Sequence, residues 1–487
     1  MTPDEIEPAP GPTPAQRWPK TPQSVIWIVL DDCGVQEFPA WGLGSDYPPT
    51  PNIDALLASG IRFDRGYAAP VCGPTRACVQ TGRYGFRTGF GGNVPENGYW
   101  LGKPPAEEFG IASTIRAGRP NVQFDLAFFG KVHLGPLLAY DLLPTDLGFD
   151  FFKGSMANDA PVGHYTWRKV TNESGVASSQ TITPQDKPAV EAWSASVNVA
   201  DALNWLKARS GPFFMLLCLN PPHGPFEVPP YALISAATIA ALQSPANGGP
   251  WEEGDLAPAG TDPASTAQRI MIYKAALEAA DTCIGILMDG IPASVKKNLT
   301  VMLCGDNGTE SNVVQPPYDP TRAKRTVFEF GVRVPFLISG PRVASPGRAS
   351  DVLAHAVDLW RTALDIMGVN LNVAFPNGRT TDGFSLMPLM RDPNAGTQRD
   401  FLFVETFLPD GAFVDPTVPI LIGSVSRAYS DGDYKCIVSR NRERFYHLAV
   451  DPLELLDLND PQQHTMTPAE QARFDELKQR LHALLAS

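Results

Sequence analysis

Short apolar runs recur along the chain. Between them lie longer stretches in which apolar residues return every three or four positions. Val25–Leu30, Phe213–Leu219, Leu299–Cys304 and Pro335–Ser339 are nearly continuous apolar segments of strand length. A strand covered on one face alternates apolar and polar residues, whereas a strand covered on both faces reads as an unbroken apolar run. These four segments therefore predict interior strands of a parallel sheet. Pro51–Ser59, Val197–Ala208 and Ala264–Met288 carry the helical period between them. Strands alternating with helices predict an α/β domain with helices on both faces of the sheet. Sites in such domains form beyond the carboxyl ends of the strands. The polar residues at those ends are the first candidates for chemistry. Asp31 and Asp32 follow the first run, His223 the second, and Asp306 and Asn307 the third.

The pattern changes near residues 392–400, where Asp392-Pro393-Asn394-Ala395-Gly396 reads as a loop. Beyond it come short strand-like pieces, a hairpin signal at Ser430-Asp431-Gly432-Asp433, and a final helical pattern from Pro468 to Leu485. This predicts a smaller C-terminal unit built on an antiparallel sheet. The expected division is a flexible arm over 1–21, a catalytic domain over 22–395 and a C-terminal subdomain over 396–487. There is no internal repeat.

Composition narrows the possibilities. The 487 residues are 43% apolar and 19% charged, as in a folded globular protein. A net charge of −13 argues against nucleic acid as the main partner. It also means that an anionic substrate needs a local cluster of basic residues. The seven cysteines are scattered and odd in number, which argues against a disulfide framework. Cys33, Cys218 and Cys304 lie in or beside apolar runs and read as small core residues. The segment Met1–Thr21 is rich in proline and lacks the basic start and apolar stretch of a secretory signal. No apolar run reaches the length of a membrane span. A cytoplasmic protein with no membrane partner is the expectation.

The most specific chemistry lies in Cys72-Gly73-Pro74-Thr75-Arg76-Ala77-Cys78-Val79-Gln80-Thr81-Gly82-Arg83. Pro74 suits the first turn of a helix. A helix over Thr75–Gln80, with Gly82 near its end, puts Cys72 at the positive end of the helix dipole. Arg76 follows one turn later on about the same face. That arrangement suits a sulfate or phosphate oxyanion. Elsewhere, Asp31-Asp32 and Gly305-Asp306-Asn307-Gly308 offer only hard oxygen ligands, which suit Ca²⁺ or Mg²⁺. Adjacent carboxylates at a strand end also repel unless something positive lies between them. No histidine or cysteine pair at zinc spacing is present.

The Cys72 segment resembles the signature of the type I sulfatases, in which the first cysteine is oxidised to formylglycine and becomes the nucleophile. Gly130-Lys131-Val132-His133-Leu134-Gly135 resembles that family's GKWHLG segment, with Val132 for Trp. If this stretch is an extended strand, Lys131 and His133 face the same side. Pro221-Pro222-His223-Gly224-Pro225 is similar to the family's histidine loop, and its prolines hold His223 in place. Lys324, ahead of Glu329-Phe330-Gly331-Val332-Arg333-Val334-Pro335, matches the lysine before EGG.RVP, with Phe330 for the first Gly. Arg322 and Arg325 flank it, but Lys324 is the only lysine there. Phe445-Tyr446-His447-Leu448 and Asp451-Pro452-Leu453-Glu454 echo a stretch near the end of many sulfatases. The motifs span about 25–340 in family order. Thr75 stands where Ser is commoner, and Cys78 is an extra cysteine expected to pack inside its helix. His164 is a further candidate for the pocket wall.

The resemblance implies an alkaline phosphatase-like fold: a large mixed, mostly parallel sheet between helices, plus a smaller C-terminal antiparallel sheet. It implies an arylsulfatase-like hydrolase matured by a formylglycine-generating enzyme. One divalent cation, usually calcium (alternatively Mg²⁺ or Mn²⁺), is implied on Asp31, Asp32, Asp306, Asn307 and modified Cys72. Hydrated formylglycine attacks sulfur, with Asp306 as base. His223 protonates the leaving alcohol. Lys131, Lys324 and Arg76 stabilise the sulfuryl group, and His133 takes a proton as sulfate leaves. A phosphonate monoester or phosphodiester hydrolase with the same formylglycine site remains open, because the fold does not separate them. So does a non-catalytic binding protein on this scaffold, although every motif residue is present.

Overall fold

β1 (Ser24–Leu30) shows why the apolar runs are continuous. Val25, Trp27 and Val29 pack into one core, and Ile26, Ile28 and Leu30 into another on the opposite face of the sheet. In this computed structural model the described residues are 23–93, 109–135, 141–158, 163–185, 187–408, 424–440 and 442–487. The expected N-terminal arm lies outside them.

The large sheet also contains β2 (Gly60–Tyr67), β3 (Asp125–Gly130), β4 (Phe151–Gly154), β5 (Trp167–Glu173), β6 (Val176–Ile182), β7 (Phe213–Leu219), β8 (Leu299–Gly305), β9 (Phe336–Ser339) and β10 (Arg348–His355). Its order is β10-β2-β9-β8-β1-β7-β3-β4-β5-β6. β8, β1, β7, β3 and β4 run parallel as one block. β9 corrects one expectation. It is buried as predicted, but it pairs antiparallel with both β8 and β2. An apolar run reports cover on both faces and carries no strand direction, so this was not readable from pattern.

The predicted helices form at Pro51–Ala58, Ser194–Lys207 and Pro263–Gly290. The longest starts at Asp262, whose side chain accepts from the backbone N–H of Ala264 and Ser265, with Pro263 at the first helical position. A second sheet, β11 (Leu402–Leu408), β12 (Ser424–Ser430), β13 (Tyr434–Ser439) and β14 (Arg442–His447), is wholly antiparallel. The final helix, Pro468–Ala486, is held by a reciprocal capping box between Thr467 and Glu470. It buries Phe474, Leu477 and Leu481 against Phe403, Cys436 and Phe445.

The small sheet is locked to the large one by a buried ionic contact. Lys435 on β13 lies 2.9 Å from Glu329 and 3.0 Å from Glu454. Tyr67, the last residue of β2, donates to the other oxygen of Glu329 at 2.7 Å. All seven cysteines are buried thiols. Cys33, Cys218 and Cys304 sit in the cores as expected, while Cys78 packs between its helix and the small sheet. No helix among the described residues is long and apolar enough to cross a membrane.

Candidate active site

Three neighbouring parallel strands end together, and the site is built on the residues just beyond their ends. After β1 come Asp31 and Asp32, both buried, with Asp32 at a positive φ of 55°. After β8 comes Asp306, whose N–H donates to Leu30 O at 2.9 Å. Its Oδ1 accepts the Asp32 N–H at 3.1 Å. After β7 comes the Pro221–Pro225 loop, where the His223 N–H donates to Asn220 O at 3.0 Å.

The fourth component is the helix Cys72–Thr81. It starts at Cys72 itself, three residues earlier than predicted, and Gly82 closes it at a left-handed φ of 66°. Thr75 docks its first turn. The Thr75 hydroxyl accepts from Ala69 N–H at 2.8 Å and donates to Asp306 O at 2.5 Å. The Gly73 N–H donates to Asn93 Oδ1 at 2.9 Å. Cys72 Sγ then lies 3.2 Å from Asp31 Oδ1 and 3.6 Å from Asp32 Oδ1. Ligand atoms of Asp31, Asp32, Cys72 and His223 all fall within 4.8 Å of one another.

Basic side chains surround this group. Arg76 Nη2 is 2.8 Å from Asp306 Oδ2 and 3.4 Å from Asp31 Oδ2, and Arg76 Nη1 donates to Lys131 O at 2.7 Å. Lys131 Nζ pairs with Asp31 Oδ2. Lys324 Nζ is 2.7 Å from Asp32 Oδ2 and 2.9 Å from Glu310 Oε2. His223 Nε2 is 3.5 Å from Asp32 Oδ2. Arg322, the nearby alternative to Lys324, instead donates to the carbonyls of Leu453 and Glu454.

The structure corrects one local expectation. Lys131 and His133 do not continue a strand. β3 stops at Gly130, whose φ is 89° and where a Cβ would meet Cys218 O at 1.8 Å. Lys131 and Val132 follow in a loop, and His133 adopts a positive φ of 48°. The two-residue alternation of a strand is therefore not what aims Lys131 at Asp31. His133 is buried, and its Nδ1 has no partner among the described residues.

Asp306 and Asn307 adjoin the four-residue group through Asp32. Asn307 Nδ2 donates to Asp32 Oδ1 at 2.8 Å, and Asn307 Oδ1 is buried without a partner among the described residues. His164 stands behind His223, with Nε2 2.8 Å from the His223 carbonyl and Nδ1 3.3 Å from Ser194 Oγ. It touches the histidine loop from behind. Phe330 fills space by lying against Tyr318, with ring centroids 3.8 Å apart.

Burial and charge set the proton affinities. Burial works against ionising Asp31, but Lys131, His223, Arg76 and Lys324 outweigh it and hold the carboxyl well below its ordinary range. Asp32 is lowered too, as His223 and Lys324 overcome burial. Asp306 goes the other way: burial, then the charge of Asp31, push it up to about 7. Burial, then Asp306 and Asp31, push the Cys72 thiol well up. Burial opposes the charge of Lys324, but Asp32, Cys72 and Glu310 hold it well above the ordinary lysine value. Burial, with Lys131 and Arg76, drives His133 well down. His223 is lowered by burial against the pull of Asp32.

Residues 23–369 match the family model described as Sulfatase. The chain belongs to the sulfatase family. Arylsulfatase G of Rattus norvegicus is 24% identical over 409 residues, covering 75% of this chain and 68% of that protein. N-acetylgalactosamine-6-sulfatase of Homo sapiens is 26% identical over 393 residues, covering 76% of this chain and 66% of that protein. The match thus spans about two thirds of these relatives. Among solved structures, Ps i-CgsB in complex with k-i-k-neocarrahexaose superposes with a TM-score of 0.70 at 20% identity, covering 96% of this chain and 93% of that one. The phosphonate monoester hydrolase of Agrobacterium radiobacter superposes at 0.65 and 18% identity, covering 95% of each chain. These likenesses establish the α/β fold with its second, antiparallel sheet. The protein is a sulfatase-family hydrolase of the alkaline phosphatase superfamily.

Sequence reasoning missed three contacts. Glu310 reaches Lys324, Tyr273 OH donates to Asp32 O at 2.9 Å, and Asn93 holds Gly73. Each joins segments distant in sequence or loops without a motif, so no spacing signal marks them.

Proposed function

We propose that this protein hydrolyses sulfate esters, with aryl sulfates as the expected class, at Cys72 after its oxidation to formylglycine. The observation that carries the reading is the ring of Arg76, Lys131, Lys324 and His223 around a buried Cys72-Asp31-Asp32 group. The donor set fits a hard divalent cation: carboxylates of Asp31, Asp32 and Asp306, and the unpartnered buried oxygen of Asn307. Ca²⁺ is the expected ion, with Mg²⁺ or Mn²⁺ as alternatives. The formylglycine and the cation would supply an activated oxygen nucleophile.

The chain's own residues account for the rest. Arg76, Lys131 and Lys324 supply the positive charge that stabilises a transferring sulfuryl group. Their burial removes competing water and strengthens each contact. His223 protonates the leaving oxygen, and the proline-flanked loop and the His164 contact fix its position. Asp306, held against Arg76 at 2.8 Å beside the Cys72 helix, is placed to take a proton from the nucleophile. His133, kept neutral by burial and then by Lys131 and Arg76, is suited to accept one when sulfate departs. Residues 22–395 carry this chemistry, and 396–487 form the supporting subdomain.

The deciding experiment combines two measurements on protein made with a formylglycine-generating enzyme. Mass spectrometry of the Cys72 peptide is expected to find the aldehyde. Matched aryl sulfate, phosphonate monoester and phosphodiester substrates are then compared by kcat/KM. Full activity with unmodified Cys72 overturns the mechanism. A phosphorus substrate ahead by about tenfold, or 1.4 kcal/mol, replaces the sulfatase reading.

A further inference from the structure

We infer that Glu310 is a specificity-determining residue that biases the site toward substrates carrying one negative charge on the transferred group. The inference rests on the proposed reading, in which Lys324 meets that group.

Lys324 is not a free cation. Its ammonium has three N–H donors. One is 2.7 Å from Asp32 Oδ2 and another 2.9 Å from Glu310 Oε2, leaving one for a substrate oxygen. Asp32 lies on the inner side at 1% side-chain exposure, whereas Glu310 is 26% exposed, at the solvent side of the pair. The Lys324 N–H also donates to O of Thr309, the residue before Glu310, at 3.2 Å. An oxyanion bound to Lys324 therefore shares its ammonium with the Glu310 carboxylate. Asp31 and Asp306 pair with Arg76 and Lys131, whereas Glu310 joins the site through Lys324, so its charge is an addition to the cation cradle.

The consequence follows from charge. An alkyl or aryl sulfate carries one negative charge, as does a phosphodiester. A phosphate monoester carries close to two above its second pKa of about 6. A carboxylate on the same ammonium repels the second charge and leaves singly charged substrates at parity with one another. Glu310 thus filters by charge and is blind to whether the central atom is sulfur or phosphorus.

The test uses Glu310→Gln in the formylglycine-containing, Ca²⁺-loaded enzyme at about pH 8, well above the second pKa of a phosphate monoester. Aryl sulfate, aryl phosphate monoester and aryl phosphodiester with one leaving group are compared on the same preparation, so the active fraction cancels in each ratio. The sulfate-to-monoester ratio of kcat/KM is expected to fall on the order of tenfold. The sulfate-to-diester ratio is expected to stay within about twofold. A monoester that is not turned over is read as a competitive inhibitor, with Ki falling by the same factor. Glu310→Ala makes the same charge change and guards against an effect peculiar to glutamine. An unchanged monoester ratio in both variants, or an equal shift for the diester, overturns the inference. Absence of sulfate hydrolysis in the unsubstituted enzyme overturns the reading beneath it instead.

Discussion

Two buried ionic clusters in this protein look alike by composition and differ in how completely they are satisfied. Around Arg399, Asp358 accepts from Nε and Nη2 at 2.6 Å each. Tyr84 OH, at 2.9 Å, and the carbonyls of Asp382 and Phe401, at 2.8 and 3.4 Å, take the remaining donors. Asp358 in turn accepts the N–H of His355 and Phe384. Every guanidinium donor is used. Around Cys72, by contrast, Asn307 Oδ1 and His133 Nδ1 are buried with no partner among the described residues. Three carboxylates also crowd against Arg76, Lys131 and Lys324. Orphaned buried polar atoms are costly, so a fold retains them where something else uses them. The satisfied cluster holds the structure together, and the unsatisfied one has capacity left for a ligand.

That contrast makes the two clusters fail differently. The largest effect is expected for Cys72→Ala. It should lower kcat by about 10³-fold or more while leaving the unfolding midpoint nearly unchanged. A matching loss of stability would blur the distinction. Chelation comes next. EDTA should remove most activity, added Ca²⁺ should restore it, and Ca²⁺ should raise Tm because the ion binds only the folded state. No response of either activity or Tm would remove the cation from the site.

Arg399→Met is the reverse experiment. It strands Asp358 without its charge partner and is expected to cost about 3–5 kcal/mol in denaturant unfolding, with kcat per folded molecule unchanged. A specific loss of kcat would make this cluster functional too.

A pH effect should come from Glu405, which is buried beside Arg427 at 3.1 Å. Burial, opposed by Arg427, pushes it up to about 7. The folded protein therefore binds more protons than the unfolded chain between about pH 4.5 and 7. Its stability contribution is full below that window and falls as pH rises through it. Glu405→Gln should flatten this slope, read from unfolding curves across the window. An unchanged slope would assign the pH dependence elsewhere. The smallest effect is expected for Thr75→Ser, which keeps both hydroxyl hydrogen bonds and loses one methyl, costing about 1 kcal/mol. Thr75→Val should cost more, because Ala69 N–H and Asp306 O lose their shared partner.

The strand ends were legible because a parallel strand buried on both faces prints its length directly in apolar residues. Asp31, Asp306 and His223 stand where those runs stop. The Cys72 helix was legible from Pro74 and Gly82, although its first turn reached back to Cys72. What escaped depended on contacts rather than patterns. The direction of β9 is set by its neighbours. The turn at Gly130 comes from a close approach by Cys218, and it replaced the strand geometry expected for Lys131 and His133. The Arg399–Asp358 pair joins a helix to a loop 41 residues on, with no motif at either end.

Cys72 is 1% exposed, and Asp306 and Lys324, whose charges act on it, arrive far later in the chain. A ribosome adding about 5–20 residues per second needs roughly 13–50 s to travel the ~250 residues from Cys72 to Lys324. During that interval the thiol has been synthesised and the finished site around it has not. On the proposed reading, a catalyst that oxidises Cys72 before the site closes races against translation, and slowing or hastening passage through the intervening codons should change the fraction of molecules that become competent.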